Sequence, residues 1–319
     1  MSTTNYLPPA VFLLGPTASG KSRVALDLVE QLPLEIISVD SAQVYRYMNI
    51  GTAKPDRETL AEIPHHLVDL IDPDQHYSAA QFRDDALRIM QDISRRNKIP
   101  LLVGGTMLYV KALQEGLSVL PPADPNLRLE LENKAKMLGW PALHQELTEL
   151  DPGTATRIKP TDSQRIQRAL EVCLLTQRSM SELLKTTKQN DFPFHPINIA
   201  LLPSERSQLH QRIAQRFEVM LAAGLIDEVQ SIRQRFSSMS TESPAMRCVG
   251  YRQVCLYLDG QISRMELQDK GIFATRQLAK RQLTWLRSMK AETKRDFDCL
   301  DDHLVVQVRN YVREVLDRL

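Results

Sequence analysis

The chain has 319 residues, 43% of them apolar, with 40 Lys and Arg against 39 Asp and Glu. That length sets a soft prior of two domains with ample material for a core, and a net charge of +1 neither requires nor excludes a nucleic-acid partner. No apolar run approaches the roughly 18 residues of a membrane span, the N-terminus lacks a signal-peptide pattern, and Cys173, Cys248, Cys255 and Cys299 include no Cys-x-x-Cys pair, so a cytoplasmic protein with reduced thiols is expected.

In chain order, the apolar run Ala10–Leu14 predicts a buried strand. It leads directly into Gly15-Pro16-Thr17-Ala18-Ser19-Gly20-Lys21-Ser22, and a helical pattern follows over Arg23–Gln31. Strand, Gly-x-x-x-x-Gly-Lys-Ser and helix is the order a phosphate-binding loop requires. Its glycines let backbone N–H groups curl around an anion, and the helix N-terminus adds roughly half a positive charge. Lys21 is placed to reach the outer phosphate, and the Ser22 hydroxyl to hold a magnesium ion.

A second strand is predicted over Glu35–Val39, followed at once by Asp40-Ser41-Ala42-Gln43. Ligands of a parallel sheet gather beyond the carboxyl ends of its strands, so Asp40 faces the ligand or, equally, caps a helix. A helix over Ser78–Arg95 separates this from a third strand, Pro100–Val103, which ends in Gly104-Gly105-Thr106. Paired glycines permit close backbone approach, and Thr106 serves either as a helix cap or as a hydroxyl for a phosphate oxygen. The adjacent His65 and His66 point apart on any regular element, which argues against a shared metal.

After Gly116 the character changes. Pro121 to Pro125 forms a stiff connector, and helices are predicted over Asn126–Leu138, Pro141–Leu150 and Ser163–Leu175. Within the last, Arg165 and Arg168 lie at i,i+3 behind Asp162, a helix cap with a solvated basic face. The next strand is predicted only at Ile197–Leu202. Helices follow over Arg206–Ala223, Leu225–Arg235, Tyr251–Leu258, Met265–Met289 and His303–Leu319. This pattern describes an α/β fold, a parallel sheet core over 1–117 and 199–319 interrupted by a helical insert over 118–198. Arg212 and Arg216 share a helical face, usually a surface salt-bridge pattern. From Gly271 to Lys290 there are five Lys or Arg and no Asp or Glu, a local anion-binding face on a nearly neutral chain. On that helix, Arg276, Lys280 and Arg287 fall on one side with Leu283, and Ala274, Leu278, Trp285 and Met289 on the opposite side, expected to face the core.

Five motifs in register carry a family resemblance: Gly15 to Ser22, Asp40 to Gln43, Gly51-Thr-Ala-Lys-Pro55, Gly104 to Tyr109 and Arg247 to Arg252. Together they resemble the tRNA isopentenyltransferases, also called tRNA dimethylallyltransferases, over almost the whole chain to Arg287. The resemblance implies a P-loop NTPase-like core and transfer of a dimethylallyl group from dimethylallyl diphosphate. The acceptor it implies is the N6 amine of the adenosine immediately 3′ of the anticodon, in tRNAs reading codons that begin with U. It further implies that Gly15, Pro16, Thr17, Ala18, Ser19, Gly20, Lys21 and Ser22 hold the diphosphate with Mg2+, that Asp40 is the base, and that Thr106 and Arg216 touch the departing group. By the same resemblance tRNA is contacted by Asp40, Ser41, Ala42, Gln43 and Thr106, with the target base flipped into a channel. Further contacts fall to Arg128 and to Gln164, Arg165, Ile166, Gln167 and Arg168 in the insert. The remainder are Arg247, Cys248, Val249, Gly250, Tyr251 and Arg252, and Lys280, Arg281, Gln282, Leu283, Thr284, Trp285, Leu286 and Arg287. After Arg287 only Cys299 and His303 remain as zinc ligands, which suits the compact bacterial form, expected to act as a monomer. The competing readings are a small-molecule or nucleoside kinase built on the same loop and an RNA-binding protein without covalent chemistry.

Overall fold

The computed structural model describes residues 7–185 and 192–319. In chain order the elements are β1 (Pro9–Leu14), α1 (Lys21–Gln31), β2 (Leu34–Val39), α2 (Arg57–Glu62), β3 (His65–His66), α3 (Ala79–Arg95), β4 (Ile99–Gly104) and α4 (Met107–Glu115). Then come α5 (Pro125–Leu138), α6 (Trp140–Leu150), α7 (Pro152–Ala155), α8 (Ser163–Thr176) and α9 (Met180–Leu183). The chain returns to the sheet with β5 (His195–Leu202), followed by α10 (Arg206–Ala222), α11 (Leu225–Arg235), α12 (Tyr251–Leu258), α13 (Arg264–Ser288), β6 (Arg295–Asp298) and α14 (Leu304–Asp317).

The chain divides into two compact units, one of Met1–Gln114 with Pro193–Leu319 and one of Glu115–Phe192. Strand β5 therefore starts inside the span that sequence alone allotted to the insert. The first unit holds a six-stranded sheet of order β3-β2-β4-β1-β5-β6 in which every pairing is parallel. The central strands are buried along nearly their whole length, which is why they read as continuous apolar runs rather than alternating ones. Along β1, Val11 and Leu13 join one core with Val24 and Leu28 of α1 and Leu304, Val308 and Val312 of α14. Phe12 and Leu14 point to the opposite face by strand alternation. Helix α3, which packs on β4, buries Phe82, Ala86, Met90 and Ile93 at helical spacing, and its Phe82 ring stacks on Tyr109 of α4 with centroids 4.2 Å apart.

The register matters most for function. Leu14 pairs with Gly104, and Gly104 pairs with Val39. Strands β1, β2 and β4 thus end level with one another, and the three segments that follow, from Gly15, Asp40 and Gly105, start side by side. The glycine pair is required by this crowding: a Cβ on Gly104 would collide with the Val39 carbonyl, and one on Gly105 with the Gln282 amide.

The second unit is a helical bundle whose core joins Leu131, Ala135, Leu143, Leu147, Ile166, Ala169 and Leu170 from α5, α6 and α8. Helices α5 and α8 start on capping side chains: Asp124 accepts from the N–H groups of Asn126 and Leu127, and Asp162 from that of Arg165.

Two expectations are corrected. Helix α13 buries Leu267, Gly271, Ala279, Leu283 and Leu286, not the side bearing Trp285, which is 37% exposed with the Lys111 ammonium 5.4 Å from its ring centroid. Ala279 and Leu283 pack with Leu209 and Ile213 of α10 and with Ala18 of the phosphate loop. Helical periodicity on a helix of mixed composition does not say which side meets that partner. Strand β6 also escaped the sequence reading. Its Arg-Asp-Phe-Asp is polar, and it pairs only at the sheet edge, with β5.

Candidate active site

Gly20 ends the phosphate loop in the left-handed region, φ 82°, and α1 starts at Lys21 without a side-chain cap. The first-turn N–H groups thus face outward with no competing cap. Within the loop, Ser19 is fully buried and its hydroxyl has no hydrogen-bond partner, while Ser22 is exposed in the first turn. The Lys21 ammonium folds back onto its own loop, donating to the carbonyls of Gly15 at 2.9 Å and Pro16 at 2.7 Å. Burial pulls its pKa down to about 8; Arg216 lowers it further and the Asp40 charge partly restores it. Arg216, on α10, is likewise lowered by burial and raised by Asp40. Among the described residues it has no hydrogen bond or ion pair. Its neighbour on the helix, Arg212, turns away to the Cys299 carbonyl at 2.9 Å, so the two arginines of the pair have separate roles.

Asp40 does not take the helix-cap role that sequence left open. Its Oδ1 accepts from the N–H of Ala42 at 2.8 Å and of Gln43 at 3.4 Å, bracing a turn rather than capping a helix. The second oxygen has no partner among the described residues. Thr106 ties this turn to the end of β4: its hydroxyl accepts from the Ser41 N–H at 3.0 Å and donates to the Ser41 hydroxyl at 3.3 Å, while its own N–H bonds the Val39 carbonyl. Gln43 is held inward, accepting from the Ser38 hydroxyl at 2.9 Å and approaching the Thr52 carbonyl at 3.4 Å. The Asp40 charge is felt by the half-buried Cys248 thiol, pushed up to about 12 by loss of water contact first, and by Tyr109, raised chiefly by burial. Two cations and one carboxylate therefore sit beside the outward N–H groups of the first turn of α1, against neutral Tyr and Cys side chains. Such a site takes an anion and can accept a proton next to it.

Residues 43–289 match the family model described as IPP transferase. The chain belongs to the IPP transferase family. It is 61% identical to a tRNA dimethylallyltransferase of Nitrosomonas europaea, with 96% of each chain covered. To one of Nitrosospira multiformis it is 62% identical, over 96% of this chain and 94% of the relative. Among solved structures, the full-length tRNA isopentenylpyrophosphate transferase of Bacillus halodurans matches with a TM-score of 0.70 at 36% identity, covering 97% of each chain. Its relatives make the chain a prenyl-transferring enzyme on a P-loop NTPase-like fold and do not favour the kinase reading. No helix among the described residues is long and apolar enough to cross a membrane.

Several residues that the resemblance assigned to tRNA have other roles in this IPP transferase. Ile166, Tyr251 and Leu286 are fully buried and Leu283 nearly so. Their side chains belong to the core, and Tyr251 donates its hydroxyl to Glu228 at 2.6 Å. Gly250 is buried as well, its N–H on the Gln253 carboxamide. Gln282 points inward, accepting from the Thr17 N–H at 2.9 Å and donating to the Gly105 carbonyl at 3.1 Å. In the insert, Arg128 and Arg168 both bind the fully buried Glu171, at 2.9 Å and 2.6 Å, and Gln167 donates to the Arg128 carbonyl at 3.2 Å. Gln164, Arg165, Arg252, Lys280, Arg281, Thr284 and Arg287 are exposed, and Arg247, Cys248 and Val249 half-buried.

Sequence reasoning gave no role to Glu228. Its carboxylate accepts from the N–H groups of Asn49, Ile50 and Gly51 at 2.8 to 3.3 Å, holding the loop against which Gln43 rests. An acid in the first turn of a helix reads simply as a partner of the helix dipole and gives no such signal. His66 bonds Glu35 at 2.6 Å and His65 the Ile63 carbonyl at 2.8 Å, so each ring has its own partner.

Proposed function

We propose that the chain transfers the dimethylallyl group of dimethylallyl diphosphate to the N6 amine of the adenosine immediately 3′ of a tRNA anticodon, releasing diphosphate. The observation that carries this reading is the set of two cations without a hydrogen-bonded acid, Lys21 and Arg216, close enough to the single carboxylate of Asp40 to feel its charge, in a chain so similar to tRNA dimethylallyltransferases.

The chemistry follows from the charges. As the bond from allylic carbon to diphosphate oxygen breaks, negative charge gathers on the leaving group, and Lys21, Arg216 and the first-turn N–H groups of α1 neutralise it. Lys21 then exchanges its two loop carbonyls for phosphate oxygens. The new bond forms from the adenine nitrogen to the allylic carbon, and the nitrogen becomes acidic only as it does so. The free oxygen of Asp40 takes that proton, its orientation fixed by the two turn N–H groups on Oδ1. Thr106 holds that turn to the strand end, and Ser19 supplies an unpaired hydroxyl to the loop.

The donor set also suits magnesium. A site with two cations and one carboxylate repels a bare ion, so Mg2+ would arrive with the diphosphate and take the exposed Ser22 hydroxyl as a ligand. When bound, it would neutralise charge on the leaving group. The exposed Lys280, Arg281 and Arg287 of α13, with Gln164 and Arg165 in the insert, are the tRNA-binding candidates that the burial pattern supports. A cytoplasmic monomer is the corresponding state.

Incubating the protein with unmodified tRNA and labelled dimethylallyl diphosphate, or with labelled ATP, tests the reading. Label must enter tRNA from the first donor and none from the second. Asp40→Asn must lower turnover by about 10²–10⁴ with tRNA affinity within a few-fold; near-normal turnover in that variant removes Asp40 from the mechanism.

A further inference from the structure

The inward turn of Gln282 has a consequence of its own. Its carboxamide is a two-ended bracket: the oxygen accepts from the Thr17 N–H of the phosphate loop, and the nitrogen donates to the Gly105 carbonyl at the end of β4. Gly105 has no room for a Cβ because this amide lies against it. The residues on either side, Lys280, Arg281 and Thr284, are exposed, while Ala279 and Leu283 pack the helix onto α10 and onto Ala18, the residue after Thr17. One helix therefore offers a basic outer face and grips the anion loop with its inner face.

We infer that Gln282 is a positioning residue that couples the two substrates, setting the phosphate loop through the helix whose outer face meets tRNA. This rests on the proposed transfer reaction and deepens it. An N–H held in place by a side chain is a preorganised part of the loop, so less ordering remains when the anion binds. Any shift of α13 on engaging RNA moves the bracket and hence the loop. Linkage then requires that diphosphate and RNA each change the affinity of the other by the same factor.

The test measures affinity for inorganic diphosphate, the part of the donor that cannot react, with Mg2+ by calorimetry, with and without an unmodified anticodon stem-loop RNA, on the full chain. In the unaltered protein the RNA raises diphosphate affinity several-fold. Gln282→Ala lowers affinity about tenfold, the scale of one hydrogen-bonded bracket, and reduces the RNA effect to less than twofold, with RNA affinity itself within about threefold. Gln282→Met, which fills the same space without either hydrogen bond, must reproduce both losses with an unaltered thermal midpoint, which excludes a folding defect. Gln282→Glu keeps the acceptor for Thr17 but loses the donor to Gly105 and adds a negative charge, and must bind diphosphate more weakly still. Unchanged or tighter diphosphate binding in the Ala and Met variants overturns the inference. So does an unaltered RNA effect, the absence of any such effect in the starting protein, or a loss confined to RNA binding. If the starting protein binds neither diphosphate nor RNA, the proposed reaction itself fails.

Discussion

Arginines of the two units are treated in opposite ways. In the insert, Arg128 and Arg168 converge on Glu171, a carboxylate with no solvent exposure that also accepts the Asp124 N–H at 2.8 Å. Beside the phosphate loop, Arg216 has no partner among the described residues, and the nearby ammonium of Lys21 reaches only two carbonyls of its own loop. Both arrangements put charge out of water at a cost. In the insert the cost is met internally, by mutual attraction and hydrogen bonds, and the product is architecture. At the strand ends it is left open, and the depressed values of Lys21 and Arg216 record it. A half-buried cation that feels a carboxylate but is not bonded to it is a cation kept for a ligand.

The sharpest way to break this contrast is to delete the unpaired charges. Lys21→Ala is expected to lower kcat/KM for dimethylallyl diphosphate about 10³-fold, and Arg216→Ala about 10²-fold, with unchanged thermal midpoints, because neither holds the fold together. Removing the paired charge must do the reverse. Glu171→Ala should cost about 2–3 kcal/mol in denaturant unfolding, below the full penalty of a buried pair because both guanidinium groups keep some water contact, while diphosphate affinity stays within twofold.

Protonation separates the regions further. Burial pushes Glu171 up, but its bonds to Arg128 and Arg168 outweigh this and hold it below the usual range. A carboxylate lowered on folding stabilises above its unfolded value, and that stability fades as pH falls through the lowered one. Urea midpoints of Glu171→Gln should therefore converge with those of the unaltered protein in acid. Lys21 moves the other way. With its value lowered to about 8, the free protein loses the cation as pH rises through that point, and diphosphate affinity should fall by up to tenfold per pH unit above it, until the value of the complex is reached. Lys21→Arg, which stays charged, must flatten that limb. The smallest effect belongs to the outer face of α13. Arg287→Ala should weaken stem-loop binding a few-fold and reduce the salt slope by about 0.7.

Much of this is legible in the sequence. The sheet strands announce themselves because parallel strands covered on both faces must be apolar throughout, and the phosphate loop because anion binding needs glycines, a lysine and a hydroxyl at fixed spacing. Asp40 and Thr106 could be placed at strand ends from their positions alone, though not assigned a single role: both brace the turn that follows β2. Less could be read from α13. Its apolar residues occupy more than one side, so the side meeting α10 was decided by Ala279 and Leu283 packing against Leu209 and Ile213, and Trp285 went to the surface. Motif membership also blurred individual roles. Ile166, Tyr251 and Gln282 sit in segments matched to tRNA contact, yet all three point into the protein.

Local order along the chain was enough to determine a parallel α/β core, an interrupting helical segment, and an anion loop followed by a carboxylate at the next strand end. These follow from short-range rules of periodicity, capping and backbone freedom. Only the folded chain decided which cations stay unpaired, which oxygen of Asp40 remains free, and that a glutamine 265 residues from Thr17 grips the loop. Such outcomes depend on partners far apart in sequence, and no local pattern encodes the register that brings them together.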